Sequence, residues 1–387
     1  MSSGTLIRSV RRSVRPLVLV AAVLLALAAP LSLNGFWLQS GLFAMAAAVS
    51  AIGLTLLVGR AGQLSLGHAF FVAVGAYGYC YLAGTSSADG VRGLGLPPLL
   101  AAFGAVVAAG AAGALFSPIS GRLRGIYLGL ASLGLVFLGQ HILKNAIPLT
   151  GGFNGRDAAP LDLFGFSFSD SDPAGFLVLG VPYGQLERLW YVGLVCAALA
   201  WWSARNLLRS RPGRALATVR DSEVAAGAMG IDVVRYKAAA FVLSSMYAGL
   251  GGVLTALAFG RIVPDSFGLS ASVAFLVMIV IGGIGSVGGA VGGAFFVTLL
   301  PLVLDHYSGR LPFLSQPGSE GLDAAGLSEF VYGLAIVLVL LFAHGGLAGF
   351  LRRAATALRR TPGRETDRPS DDERAPLRSH TAKEPAS

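Results

Sequence analysis

Apolar runs of roughly 20 residues recur along the chain, separated by short polar or glycine-rich breaks, and that is the length needed to cross the hydrocarbon of a bilayer. Read this way, the sequence predicts helices at about 17–33, 41–58, 64–83, 97–116, 125–143, 188–204, 237–258, 269–283, 289–304 and 328–346. The fold class is all-α, a polytopic membrane protein with about ten transmembrane helices. The longest strongly basic break, 205–237, holds Arg205, Arg209, Arg211, Arg214, Arg220, Arg235 and Lys237. A short helix is predicted inside it. Asp221 or Ser222 can cap its start, Asp221 and Glu223 suit the positive end of its dipole, and Gly230 can supply the left-handed stop after Met229. Asp232 then caps the next helix.

Composition agrees with the pattern. Of 387 residues, 54% are hydrophobic and only 13% charged, with a mean hydropathy of +0.69. A pI near 9.9 would suggest nucleic acid in a soluble protein. Here the arginines flank apolar spans, where they fix orientation, and no nucleic-acid partner is expected. Alternating the spans from an inside N-terminus puts the Arg60, Arg122/Arg124, 205–237 and Arg352/Arg353 flanks on one side and closes with both termini cytoplasmic. The external segment 144–187 is acidic by comparison. The basic start, 1–16, followed by PLVLVAAVLLALAA reads as a retained first span or as a signal peptide cut after Ala28; the span is preferred. The tail 347–387 mixes Arg, Asp, Glu, Pro and Ser and is expected to be disordered and cytoplasmic, its first arginines resting on anionic headgroups.

Three motifs stand out. Gly59–Tyr77 joins two spans with almost no loop through Gly62, Ser65 and Gly67, so a helix interruption at membrane depth is expected, satisfied by protein or by a water-lined cavity. It reads either as close packing or as free amides able to bind an anionic group, as broken helices in transporters do, with Gln63 and His68 the polar groups facing a cavity. Gly282–Ala294 repeats glycine at four-residue spacing through Gly285, Gly289 and Gly293, and again through Gly288 and Gly292. That gives a helix face of nearly bare backbone, with Gly282 at its start, suited to close helix approach. Leu149–Arg156, LTGGFNGR, specifies turns, or an outside contact with a partner.

Absences narrow the function. No Asp or Glu lies well inside the expected spans, which disfavours proton- or sodium-coupled carriers. The lysines are Lys144, Lys237 and Lys383 alone, with no Gly-Lys-Ser/Thr, so the chain has no P-loop of its own. Cys80 and Cys196 fall in apolar runs without metal-ligand spacing, and no metal site or catalytic constellation is expected; the chain reads as a non-enzyme.

Four segments in order, GRAGQLSLGHAFFVAVGAY, LRGIYLGLASLGLVFLGQHILKNAIPLTGGFNG, RALATVRDSEVAAGAMGIDVVRYKAAAFVLSSMYAGLGG and GGIGSVGG, together resemble the LivM-type permease of branched-chain amino acid ABC importers, from about Leu17 to Phe342. The resemblance implies the ABC importer permease architecture in a bacterial plasma (inner) membrane, with a cytoplasmic coupling helix. It also implies a related LivH-type permease, two ABC ATPase subunits that use ATP and Mg, and an external substrate-binding protein. No cofactor is bound by this chain. Glu223, Ala225, Ala226 and Gly230 match the family's E-x-A-A-x-x-x-G coupling pattern, beside Asp221 and Ser222. Gly62, Gln63, Ser65, Leu66, Gly67 and His68 match its signature near the translocation path. Ala290 stands where the family often has Pro, which puts a kink there in question. The expected cargo is a branched-chain or related amino acid. The alternatives are urea, another small amide or an organic acid carried by the same kind of permease, an ion-coupled carrier, or a scaffold.

Overall fold

In the computed structural model the described residues are 24–86, 91–123, 125–163, 166–167, 177–178, 181–182, 184–307, 324–342, 346 and 349. They belong to a unit running from Met1 to Phe350. The basic start 1–16 and, apart from Gly349, the expected disordered tail lie outside the described residues, as does the second unit, Leu351–Ser387.

A helical stretch at 24–32 (α1) is followed by α2 (Gly35–Ala61), α3 (His68–Ala83), α4 (Pro98–Arg122), α5 (Ile126–Asn145) and the single turn α6 (Ile147–Thr150). Next come α7 (Gln185–Arg209), α8 (Arg211–Asp221), α9 (Glu223–Ala228), α10 (Val233–Phe259), α11 (Leu269–Gly282), α12 (Val287–His306) and α13 (Ala324–Phe342). Each of the ten expected spans overlaps a helix, and the chain is an all-α polytopic membrane protein. α2, α4, α5, α10 and α12 are long and apolar enough to cross a membrane, while α3, α11 and 326–338 within α13 are shorter apolar helices.

The core forms around α2 and α10. α10 packs on α2, α3 and α4, and α2 also receives α7, α11 and α12. Burial follows this order: 83% of the most apolar stretch of α2 and 67% of that of α10 is buried, against 33% in α4, α5 and α12. With lipid tails as apolar as leucine, such a centre is held by close packing rather than by exclusion of water. The α3–α10 crossing shows how. A side chain at Gly252 would strike the Val72 carbonyl oxygen, and one at Gly75 would strike the backbone of Gly249.

Several boundaries differ from expectation, each for a local reason. α2 starts at Gly35, before the expected 41, since 35–40 carries no helix breaker after Gly35. α7 continues to Arg209, past 204, because helix hydrogen bonding does not need the membrane; Ser210 stops it by capping the next helix. α3 starts at His68, not 64, because Gly62 at φ +68 ends α2 and the chain stays irregular to Gly67.

The glycine-rich run also divides differently. Gly285, at φ +82, lies in the turn between α11 and α12 and not on a helix face. Gly282 and Gly293 bring α11 and α12 into backbone contact: side chains there would strike the Gly289 and Met278 carbonyl oxygens respectively. Gly289 is buried in this contact, but Gly288 and Gly292 point away, with nothing within 4 Å of an added Cβ. A helix turning 100° per residue cannot aim both four-residue series at one neighbour. No proline kink occurs at Ala290, whose amide donates to Ser286 O at 2.9 Å.

At the end remote from the arginine-rich flanks, short antiparallel pairs join β2 (Asp162–Leu163) to β3 (Phe166–Ser167) and β4 (Leu177–Val178) to β5 (Val181–Pro182). β1 (Arg156–Asp157) pairs with β6 (Arg261–Ile262), tying the LTGGFNGR motif to the chain leaving α10.

Candidate functional site: the short helix pair between α7 and α10

The basic break contains two helices where the sequence pattern announced one. Ser210 accepts from Gly213 N at 3.5 Å and Pro212 lies in the first turn, so α8 begins with an N-cap and a proline suited to an amide that needs no partner. Leu216 and Val219, three apart, are buried beneath it. Asp221 ends α8 and does not cap α9: its carboxylate is taken by Arg220, 2.9 Å away. Ser222 is the cap, accepting from Ala225 N at 3.2 Å.

α9 is closed at its other end by a paired set of backbone bonds. Gly230 N donates to Gly227 O and Ile231 N to Ala226 O, both at 3.0 Å, with Gly230 at φ +78. These are the two bonds of a Schellman stop. Asp232 Oδ1 then accepts from Arg235 N at 3.1 Å and starts α10.

Within the Glu223/Ala225/Ala226/Gly230 pattern the structure gives each residue a different environment. Ala226 is fully buried and Ala225, exposed, supplies the capped amide. Glu223 Oε1 pairs with Lys237 Nζ, whose side chain is only 5% exposed, so this charge is almost wholly removed from water. Outward, α9 and its stop present Val224 and Met229, 81% and 72% exposed. Two apolar side chains left so open, one on the six-residue helix and one at its stop, form a surface with no covering partner among the described residues.

The pair is bound to the helices beneath it. Arg220 Nη1 donates to Gly59 O at 2.9 Å at the end of α2, and its side chain packs against Gly62. Arg60 Nη2 donates to Gly285 O at 3.3 Å, and the backbones of Gly59 and Gly285 touch. Thus α8, the end of α2 and the α11–α12 turn meet at one place. Sequence reasoning missed this. Arg220 and Gly59 are 161 positions apart and leave no local signal, whereas Ser210 before Arg-Pro was a readable start for α8.

The second group, Gly62 to His68, lies next to this junction. His68 Nε2 donates to Ser50 O at 2.9 Å, about 16 Å along α2 from its end. The irregular segment therefore re-enters the bundle. Its amides are satisfied by serine hydroxyls from other helices: Leu66 N donates to Ser132 Oγ at 2.8 Å and Ala69 N to Ser272 Oγ at 3.0 Å. Gly67 N donates to Ser65 Oγ at 3.4 Å, and a side chain at Gly67 would strike the Ser132 carbonyl. The His68 ring stands edge-on to Phe275 and is 1% exposed. Gln63 donates to Ser120 O at 3.5 Å while its Oε1 is buried without a partner. Among the described residues Gln63 and His68 are thus buried against protein, each donating to a serine carbonyl of a neighbouring helix. Among the described residues no group of His, Cys, Asp and Glu could hold a metal ion.

Comparison with known proteins adds to this geometry. The family model described as branched-chain amino acid transport system / permease component matches residues 36–350. The chain is similar to the high-affinity branched-chain amino acid transport system permease protein LivM of Salmonella typhimurium, 34% identical over 279 residues, and to that of Escherichia coli, 33% identical over 279 residues. Each alignment covers 70% of this chain and 64% of the relative. It is also similar to the permease protein BraD of Pseudomonas aeruginosa, 28% identical over 313 residues, covering 78% of this chain and 91% of that protein. No solved structure gives a significant match.

Proposed function

Because the chain belongs to the permease family of branched-chain amino acid transport systems and is of the LivM type, we propose that it forms part of the path by which an ABC importer brings a branched-chain or related amino acid into the cell. The arginine-rich end is cytoplasmic, as are both termini, and the protein sits in a bacterial inner membrane. Two separate ATPase subunits bind ATP and Mg and dock on α8 and α9, a related LivH-type permease completes the path, and an external binding protein delivers the substrate. The irregular stretch from Gly62 to His68 lies near the path.

The observation that carries this reading is the outward pair Val224 and Met229 on a helix capped at both ends. A surface to be pushed must present apolar contact to its partner and hold its shape when loaded, and α9 meets both needs. Force on α9 passes to α10 through Glu223–Lys237, to α2 through Arg220, and onward to the α11–α12 turn through Gly59 and Gly285. Alternating access then follows as rigid movement of helices around the bundle.

Val224→Glu with Met229→Glu tests this. The double variant is expected to insert normally yet fail to co-purify with the ATPase subunits, with ATP-driven uptake in proteoliposomes falling at least about tenfold, as loss of a buried apolar anchor implies. Unchanged association would remove the docking role. Uptake by the chain alone, without ATPases, would overturn the importer reading.

A further inference from the structure

At the end opposite α8 and α9 lies a cavity of about 810 Å³ walled by the LTGGFNGR motif, the end of α3 and β6. Its construction begins with the motif. Thr150 Oγ1 donates to Leu143 O at 2.7 Å and accepts from Gly152 N at 3.1 Å, folding the chain back after α5. Gly155, at φ +73, comes so close to Ile262 that a side chain there would meet its carbonyl oxygen. The β1–β6 pairing then sets Arg156 opposite Ile262 and Asp157 opposite Arg261. Since strand residues alternate in direction, Arg156 and Ile262 turn inward while Asp157 and Arg261 stay out.

Arg156 is 5% exposed. Nη1 is fully engaged, donating to Arg92 O at 2.7 Å and to Leu149 O at 2.8 Å, and the guanidinium lies over Tyr81. Nη2 is different. It lies where Gly84 and Gly93 have no side chains, and neither it nor Nε makes a hydrogen bond to a described residue. Among the described residues no carboxylate stands within ion-pair distance of Arg156, although burial pulls its pKa down from the ordinary value. A buried guanidinium without an acid is costly and persists where something else supplies the anion. At the rim, Arg261 Nη1 meets Asp157 Oδ1 at 3.2 Å, leaving a carboxylate 74% exposed near the same opening. Ala83, Val91 and Ile147 give the cavity an apolar wall.

We propose that this cavity is an outer receiving site for a zwitterionic α-amino acid with an aliphatic side chain. The free edge of Arg156 takes the α-carboxylate, the Ala83/Val91/Ile147 wall takes the side chain, and the α-ammonium is left toward the opening, on the side where Asp157 lines the rim. The proposal deepens the importer reading and rests on it. A guanidinium accepts a carboxylate through paired N–H donors, which an ammonium cannot reproduce, and the volume falls within the range of small-molecule sites. With Arg156 so buried, the anion must come from a small molecule entering the cavity and not from a bulky protein surface.

The test uses the full importer in proteoliposomes, with Thr85→Cys placed on the cavity wall, where Thr85 is exposed. Labelling of this thiol by an anionic methanethiosulfonate is followed; the unsubstituted chain, with Cys80 fully buried, gives the blank. L-leucine at about ten times its dissociation constant should slow labelling about tenfold, since the free fraction falls as 1/(1 + [L]/Kd). Leucinamide, which lacks the carboxylate, should give no protection. Adding Arg156→Lys should abolish protection by leucine, while the comparison of leucine with leucinamide needs no change at Arg156. Equal protection by both, or protection only by ligand-free binding protein, would overturn the site. ATP-driven leucine uptake is measured in the same vesicles: its absence strikes the importer reading, whereas uptake without leucine protection strikes the cavity alone.

Discussion

The two ends of the molecule handle charge in opposite ways. At the arginine-rich end, Lys237 is buried with its acid beside it, Arg220 is shared between Asp221 and the Gly59 carbonyl, and apolar side chains face out from α9. At the other end the Asp157–Arg261 pair is out in water, and the buried cation Arg156 has, among the described residues, two carbonyl oxygens and the Tyr81 ring as partners but no carboxylate. A buried ion pair and helices capped by Ser210, Ser222 and Asp232 suit a part that is to move as a unit. A buried cation with no carboxylate among the described residues, set beside a cavity, is what the proposed receiving site requires. The contrast teaches that burial of a charge has no single meaning; what the charge faces decides whether it stiffens a structure or reserves a site.

The strongest way to break this contrast is Glu223→Gln. It leaves the buried Lys237 ammonium without its counter-charge, and a loss of about 3 kcal/mol is expected from removing one member of a mostly buried pair. It should appear as a lower midpoint for unfolding of the purified chain in SDS, with faster amide exchange through α9. Replacing both partners, Glu223→Leu with Lys237→Met, should recover most of the loss, because two apolar groups leave no charge stranded. If Glu223→Gln were as stable as the native chain, the arginine-rich end would not be charge-locked.

A smaller effect separates shape from charge. Gly230→Ala meets open space, so its only penalty is the left-handed backbone, about 1–2 kcal/mol. Exchange should rise at Gly230 and Ile231, whose amides make the stop, while the Glu223–Lys237 pair keeps α10 protected. Protection lost equally along α10 would mean that the stop and the ion pair are one unit. The smallest effect belongs to the opposite end. Arg261→Gln removes an ion pair with both side chains more than half exposed and should cost no more than about 1 kcal/mol in the same unfolding measurement. A loss as large as that from Glu223→Gln would erase the difference between the ends.

Much of the fold was legible because apolar length is a one-dimensional signal. Spans near 41–58 and 237–258 could be placed from composition alone, and their extra turns at Gly35 and Val233 come from hydrogen bonding that composition does not record. α8 was missed because its arginines dominate the pattern and only Leu216 and Val219 betray an inner face. Around α9, Ser222, Gly230 and Asp232 announced themselves, since caps act within three residues. The partners of Glu223 and Arg220 did not, one lying 14 positions on and the other 161 back. His68 and Gln63 were readable as polar groups in an apolar run, but Ser50, Ser120, Ser132 and Ser272, which surround that break, are individually unremarkable in sequence.

The Arg220 bond to Gly59 joins a residue to a carbonyl made long before it, while Glu223 needs a lysine made shortly after. On a ribosome, therefore, the α8–α9 surface has its first anchor as soon as α8 emerges but gains its second only when Lys237, at the start of α10, has been added. A nascent chain stopped between them would expose Val224 and Met229 on a loosely held helix. The surface thus reports that the start of the central helix has arrived, and a partner that recognises only the rigid form would assemble only on chains extended past Lys237.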